Sequence, residues 1–189
     1  MPLCNLVITG FVGTGKTTVA RILARRLGRP FLDFDEEIAR RAGRPIPEIF
    51  DRDGEAAFRA MEAALCREWS TPRGWVLATG GGTCIHPANR AALAAGGHLF
   101  FLYADLNEVA RRLAGATDRP LLQCRPGETL LERLQALWNA REAAYRAIPH
   151  WVDTTGCPPE AVAEEILRRL QELERTDDDD PHRGPDPTL

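Results

Sequence analysis

Lysine is almost absent from this chain of 189 residues: among 24 basic residues only Lys16 is a lysine, and the rest are arginines. That scarcity excludes the Asn-Lys-x-Asp guanine motif of an ordinary GTPase, because the single lysine is placed elsewhere. No apolar run approaches the ~18 to 20 residues of a membrane span, and no basic segment leads into an apolar signal core at the N-terminus. A cytoplasmic protein without a membrane partner is therefore expected. Basic stripes that would mark a nucleic-acid surface are also missing. Cysteine is scattered over positions 4, 66, 84, 124 and 157 with no C-x-x-C pair, so neither a disulfide framework nor a zinc site is expected. The cysteines read as reduced small hydrophobes, mostly buried. No internal repeat, heptad pattern or interdomain linker is present, and 44% hydrophobic content over this length suits one domain, residues 1–175.

The formal net charge of −3 comes from the end of the chain. From Thr176 onward there are five acidic residues (Asp177 to Asp180 and Asp186) and one basic residue, Arg183, which leaves 23 basic and 22 acidic residues in the nearly neutral body. The segment 176–189 joins like charges to prolines and has almost no apolar side chains. It cannot offset its ordering entropy and is expected to be disordered.

What the chain does have is Gly10-Phe11-Val12-Gly13-Thr14-Gly15-Lys16-Thr17, which fits the phosphate-cradling pattern G-x-x-x-x-G-K-[ST] in every fixed position. The apolar run Leu6-Val7-Ile8 precedes it, and Val19, Ile22, Leu23 and Leu27 follow at helical spacing. The loop thus lies between a buried strand and an amphipathic helix. Its glycines permit the backbone turns that aim successive N–H groups at an anion, and the helix points its positive end there. Arginine is a planar fork, whereas lysine is a compact charge on a thin stem, which suits reaching between the β- and γ-phosphates of a nucleotide. Thr17 would place a hydroxyl on Mg²⁺.

Short apolar segments near 4–9, 30–34, 75–79, 98–103 and 151–153 are predicted strands. Helices are predicted over 16–27, 36–42, 54–69, 87–95, 106–113, 128–147 and 159–174. Strands alternating with helices imply an α/β fold, a parallel sheet covered on both faces, in which ligands bind beyond the carboxyl ends of the strands.

The residues at those ends are therefore the functional candidates. After the second strand, Asp33 and Asp35 would project to the same side of an extended backbone. Asp35 is equally suited to cap the helix from Glu36 and to accept the proton of a phosphoryl-acceptor hydroxyl. After the third strand come Gly80-Gly81-Gly82, which predict a sharp exit or a close approach of backbone to ligand. That strand carries no Walker B carboxylate, so magnesium would depend on Thr17, phosphate oxygens and water, with Asp33 assisting. Arg59 and Glu62 share one face of a helix, where an ordinary surface ion pair is the default. Arg119 sits in a Gly/Thr/Asp/Pro-containing segment long enough to form a lid over a nucleotide, and Arg141 lies on a later helix. Spacing alone does not single out these three among 23 arginines.

The phosphate loop, Phe31-Leu32-Asp33-Phe34-Asp35, Ile46-Pro47-Glu48-Ile49-Phe50, Gly54-Glu55-x-x-Phe58-Arg59-x-x-Glu62, Ala78-Thr79-Gly80-Gly81-Gly82, Arg119-Pro120-Leu121-Leu122 and Arg141-x-x-x-Tyr145 together resemble shikimate kinase. The resemblance runs from about residue 4 to 173 in the family's order and spacing. It implies a three-layer α/β/α P-loop kinase fold with a five-stranded parallel sheet and a mobile lid near 113–126. It also implies ATP-dependent phosphorylation of the 3-hydroxyl of shikimate, a step towards aromatic amino acids, with ATP and Mg²⁺ required. The sequence does not dictate an oligomeric state, and a monomer is expected. By that similarity Gly13, Thr14, Gly15, Lys16, Thr17, Thr18 and Arg119 would bind the nucleotide, and Thr17 and Asp33 the metal. Asp35, Arg59, Gly81, Gly82 and Arg141 would bind shikimate, while Asp35, Lys16 and Arg119 would act in the chemistry. Phe50 and Phe58 would give the ring an apolar wall, and adenine would lie near Arg111 and Pro158. The phosphate loop alone also admits gluconate kinase or another kinase of an anionic polyol, or an ATP-binding regulator without an acceptor.

Overall fold

The computed structural model describes residues 3–114, 122 and 124–178, the side chains of 176–178 excepted. Five strands, β1 (Asn5–Gly10), β2 (Phe31–Asp33), β3 (Val76–Ala78), β4 (Gly97–Tyr103) and β5 (His150–Asp153), form one sheet in the order β2-β3-β1-β4-β5. Every pairing is parallel, with Val7 opposite Leu77 and Leu99, and Phe101 opposite Trp151.

Side-chain alternation along these strands builds two cores. Val7, Leu77, Leu99 and Phe101 face one side, where they pack with Phe34, Ile49, Phe58, Trp138 and Tyr145. Leu6, Ile8, Val76, Ala78, Phe100 and Leu102 face the other. There they meet Val19 and Leu23 of α1 (Lys16–Leu27) and Ile166 and Leu170 of α8 (Pro159–Asp178). The first core is closed by α2 (Phe34–Ala42), α3 (Ile46–Glu68), α4 (Pro87–Gly96), α5 (Leu106–Arg112), α6 (Leu130–Asn139) and α7 (Glu142–Arg146). The outcome is the expected three-layer fold.

Several boundaries differ from expectation. Helix α2 starts at Phe34, and its cap is Asp33 rather than Asp35: the Asp33 carboxylate accepts from the N–H groups of Asp35 and Glu36. Asp35 therefore lies in the first turn of the helix, not in line with the strand. Helix α3 begins at Ile46, eight residues before the predicted start, and bends at Gly54, whose φ of 82° and ψ of 168° only glycine adopts readily. Pro45 and Pro47 open it, as suits prolines in a first turn. The stretch predicted as one helix over 128–147 divides at Ala140–Arg141 into α6 and α7. Helix α8 runs on to Asp178, into the segment expected to be disordered, and residues 179–189 lie outside the described residues.

All five cysteines are free thiols. Only Cys66 and Cys84 are buried, while Cys124 and Cys157 are exposed, so the expectation that most were buried is corrected. Among the described residues no helix is long and apolar enough to cross a membrane.

Candidate active site

Strand β1 ends at Gly10, and the loop after it turns through Gly13 at φ 74° and Gly15 at φ 86° before α1 begins at Lys16. Those two left-handed positions bend the backbone into the nest that the motif requires. Thr14 is buried, with its hydroxyl on the Phe11 carbonyl at 2.8 Å, and Lys16 Nζ donates to the same carbonyl at 2.8 Å. The lysine is therefore folded back across its own loop.

At the second strand end, Thr17 Oγ1 donates to Asp33 Oδ2 at 2.7 Å, while Oδ1 of Asp33 caps α2. One carboxylate thus ties the phosphate loop to the start of α2. Its second oxygen and the Thr17 hydroxyl form a pair of hard oxygen donors beside the loop, the donor type Mg²⁺ accepts.

The third strand leads into the triple glycine and a 3-10 turn over Thr83–Ile85. A Cβ on Gly80 would stand 2.8 Å from Asp35 Oδ1 and 2.9 Å from Glu62 Oε1, and one on Gly82 would stand 2.6 Å from Arg59 Nη1. Close approach explains these glycines: two carboxylates lie over the first and a guanidinium over the third. Arg59 donates to Glu62 Oε2 at 2.6 Å and to Glu55 Oε1 at 2.8 Å. Glu62 is only 1% exposed and also accepts from the Thr83 hydroxyl, so the expected surface ion pair is in fact a buried one. Burial works against the Arg59 charge, but the two carboxylates outweigh it and hold the guanidinium more basic than usual. Cys84, beside this network, has its thiol pushed up to about 11 by burial and is kept inert.

A cavity of about 590 Å³ joins these pieces. Its lining includes Thr17 and Asp33, Asp35, Arg59, Gly80, Gly81 and Gly82, and Arg141 from the start of α7. Phe50 and Phe58, their rings 4.9 Å apart, make its apolar wall together with Leu137. A second hollow of about 480 Å³ is lined by Thr14, Gly15 and Thr18 together with Arg111, Arg112, Cys157 and Pro158. Of the sequence-predicted residues, Arg119 and most of the lid segment 113–126 lie outside the described residues. Two residues were undervalued by sequence reasoning: Glu62, taken as surface charge, and Tyr145, whose hydroxyl donates to the Gly81 carbonyl at 2.7 Å. Helical spacing carried a signal for each, since Glu62 follows Arg59 by three and Tyr145 follows Arg141 by four.

Comparison with known proteins agrees with this geometry. The shikimate kinase family profile matches residues 12–171. A shikimate kinase of Pseudomonas entomophila is 44% identical over 170 residues, 89% of this chain and 97% of its own length. The structure titled shikimate kinase from Acinetobacter baumannii in complex with shikimate superposes with a TM-score of 0.84 at 36% identity, covering 90% of this chain and 94% of that one. A gluconokinase from Sinorhizobium meliloti covers 93% of this chain and 95% of its own, with a TM-score of 0.59 and 19% identity, a likeness of fold alone. The match over most of the length, at an identity far above that of fold-level relatives, establishes that this chain belongs to the shikimate kinase family.

Proposed function

We propose that the cavity holds shikimate between Asp35, Arg59 and Arg141 while the Gly10–Thr17 loop presents ATP, so that the γ-phosphoryl group passes to the 3-hydroxyl. The family assignment carries the activity itself: the chain is an ATP-dependent shikimate kinase, and gluconate kinase is not favoured. The observation that carries the residue roles is that Thr17, from the phosphate loop, lines the same cavity as Asp35, Arg59 and Arg141. Donor loop and acceptor groups therefore share one space.

In this reading Arg59 and Arg141 offer planar guanidinium groups to the shikimate carboxylate, together with the Gly81 and Gly82 backbone. Asp35 sits at the positive end of α2, orients the ring hydroxyls and accepts the proton of the attacking one. Phe50 and Phe58 cover the apolar face of the ring. Lys16 swings from the Phe11 carbonyl to the β- and γ-oxygens, with the backbone N–H groups of Gly13 to Thr18 on the phosphates. The hollow between Arg111 and Pro158 takes adenine. Arg119 is assigned to the lid side of the phosphates. Thr17 and Asp33 would hold Mg²⁺, which when bound neutralises charge shared between the β- and γ-oxygens. A monomer in the cytoplasm, where ATP is present, completes the reading.

Phosphate transfer to shikimate, gluconate and quinate, measured side by side with MgATP, tests it. Turnover of shikimate well above both others is the expected result; turnover of gluconate alone overturns the assignment.

A further inference from the structure

The Tyr145 side chain is fully buried and stands at the meeting point of three segments of the site. Its ring packs against Phe11 of the phosphate loop, Phe101 of β4 and Trp138 of α6, with centroids 6.2, 4.7 and 5.6 Å away. Its hydroxyl donates to the Gly81 carbonyl at 2.7 Å and interacts with the Arg141 side chain one helical turn earlier. A phenylalanine would fill the same space and make the same ring contacts. The hydroxyl is therefore the informative part, because a buried O–H is costly unless its bonds are specific.

What that hydroxyl controls follows from peptide geometry. The Gly81 carbonyl belongs to the peptide that carries the Gly82 N–H, and in a planar trans peptide the two point opposite ways. Holding the carbonyl on the Tyr145 side sets the direction of the Gly82 N–H on the other. Gly81 also lies beside the phosphate loop, where an added Cβ would come into ordinary contact, 3.4 Å from the Val12 nitrogen and 3.5 Å from the Gly10 carbonyl oxygen. Glycine would otherwise be the residue least able to hold one orientation. On its other side the same hydroxyl steadies Arg141, whose backbone has already left α6 and whose side chain faces the cavity.

We propose that Tyr145 is a positioning residue for the acceptor: its hydroxyl locks the Gly82 N–H and the Arg141 guanidinium into a single carboxylate-binding geometry. This rests on the reading that the cavity takes shikimate by its carboxylate. Affinity for the acceptor depends on the hydroxyl, and affinity for the nucleotide does not, although the ring touches the phosphate loop through Phe11.

The test is Tyr145→Phe in the full chain, with steady-state kinetics against each substrate in turn. The KM for shikimate should rise about tenfold, as expected when a hydrogen bond to a charged group is lost, with the KM for ATP within about twofold of wild type. Equal changes in both constants, no change in either, or a lower melting temperature alone would each mean a merely structural tyrosine and overturn the proposal. Should the variant fail to fold, fluorinated tyrosine in a Tyr103→Phe background puts a more acidic phenol at position 145 alone, since the chain has two tyrosines. The shikimate KM should then climb with pH as the donor proton is lost, and a flat profile overturns the idea. A wild-type enzyme that does not phosphorylate shikimate at all would instead remove the reading beneath it.

Discussion

Arg59 donates from Nη1 to Glu62 Oε2 at 2.6 Å, three residues apart on α3, with the arginine side chain 17% exposed and the glutamate 1%. The pair fixes the guanidinium over Gly82, where both line the cavity, by setting it against a carboxylate already anchored to Thr83.

Removing the arginine alone should therefore have two separable effects. Arg59→Ala leaves Glu62 buried without its cation, which should cost about 3 kcal/mol of stability. It should also weaken shikimate binding by about 2 to 5 kcal/mol, while the KM for ATP stays close to wild type. Adding Glu62→Gln should restore most of the melting temperature but none of the shikimate affinity. Denaturant unfolding and steady-state kinetics on the single and double variants check this, and joint recovery of both would remove Arg59 from the acceptor site.

Lys16 offers a chemical test that few proteins allow, because an amine-reactive reagent can modify only Lys16 and the N-terminus. MgATP should protect Lys16 and leave the N-terminal amine reactive, as mass spectrometry of the labelled protein would show. Lys16→Met should lower kcat at least about 10²-fold, the scale of losing one group that stabilises transition-state charge.

Asp33 has two duties that different substitutions separate. Asp33→Ala removes the cap of α2 and should cost about 1 kcal/mol in unfolding free energy. Asp33→Asn keeps an acceptor for the Asp35 and Glu36 N–H groups but loses the charge beside Thr17. Its stability should be nearly normal and its half-saturating Mg²⁺ concentration raised; an unchanged magnesium titration would take Asp33 out of the metal shell.

Much of this was visible in the sequence because it is local. The phosphate loop is a contiguous motif, and the five strands read from their apolar runs, so the three-layer fold and the strand-end location of the candidate site followed. Depth was not visible. Glu62 and Arg59 have the spacing of a solvated pair, and only the packing of the 3-10 turn onto α3 buries the carboxylate. The Asp33–Asp35 segment was misjudged for a related reason: a strand of three residues leaves little pattern to show where it ends, and the aspartate nearer the strand took the cap. The part of α3 before Gly54, from Ile46 on, was not read as helix, and the break at Arg141 was missed because both halves there carry apolar residues at helical spacing.

Gly82→Ala probes the closeness directly. Gly82 has φ −105°, which alanine adopts without strain, so the backbone should hold and the Arg59 head should move instead. We expect a raised shikimate KM with a melting temperature within a few degrees of wild type. Gly80→Ala should be the harsher change, since the new methyl would meet the carboxylates of both Asp35 and Glu62. Differential scanning fluorimetry together with initial rates would rank the two.

On the edge of the sheet, His150 begins β5 and packs against Phe100 with ring centroids 5.2 Å apart. Burial holds its pKa below the usual 6.5, and the neighbouring His98 and Arg169 push in the same direction. Because the folded value is the lower one, the unfolded chain binds the proton more readily. The stability tied to neutral His150 is thus present above about pH 6.5 and is lost as pH falls through the folded pKa. His150→Phe keeps an aromatic ring against Phe100 and removes the titration. Urea midpoints at pH 7.5 and 5.5 should fall less on acidification in the variant than in wild type. Carboxylates elsewhere contribute to both proteins alike, so the difference between the two slopes isolates the histidine, and parallel slopes would show that His150 does not carry the effect.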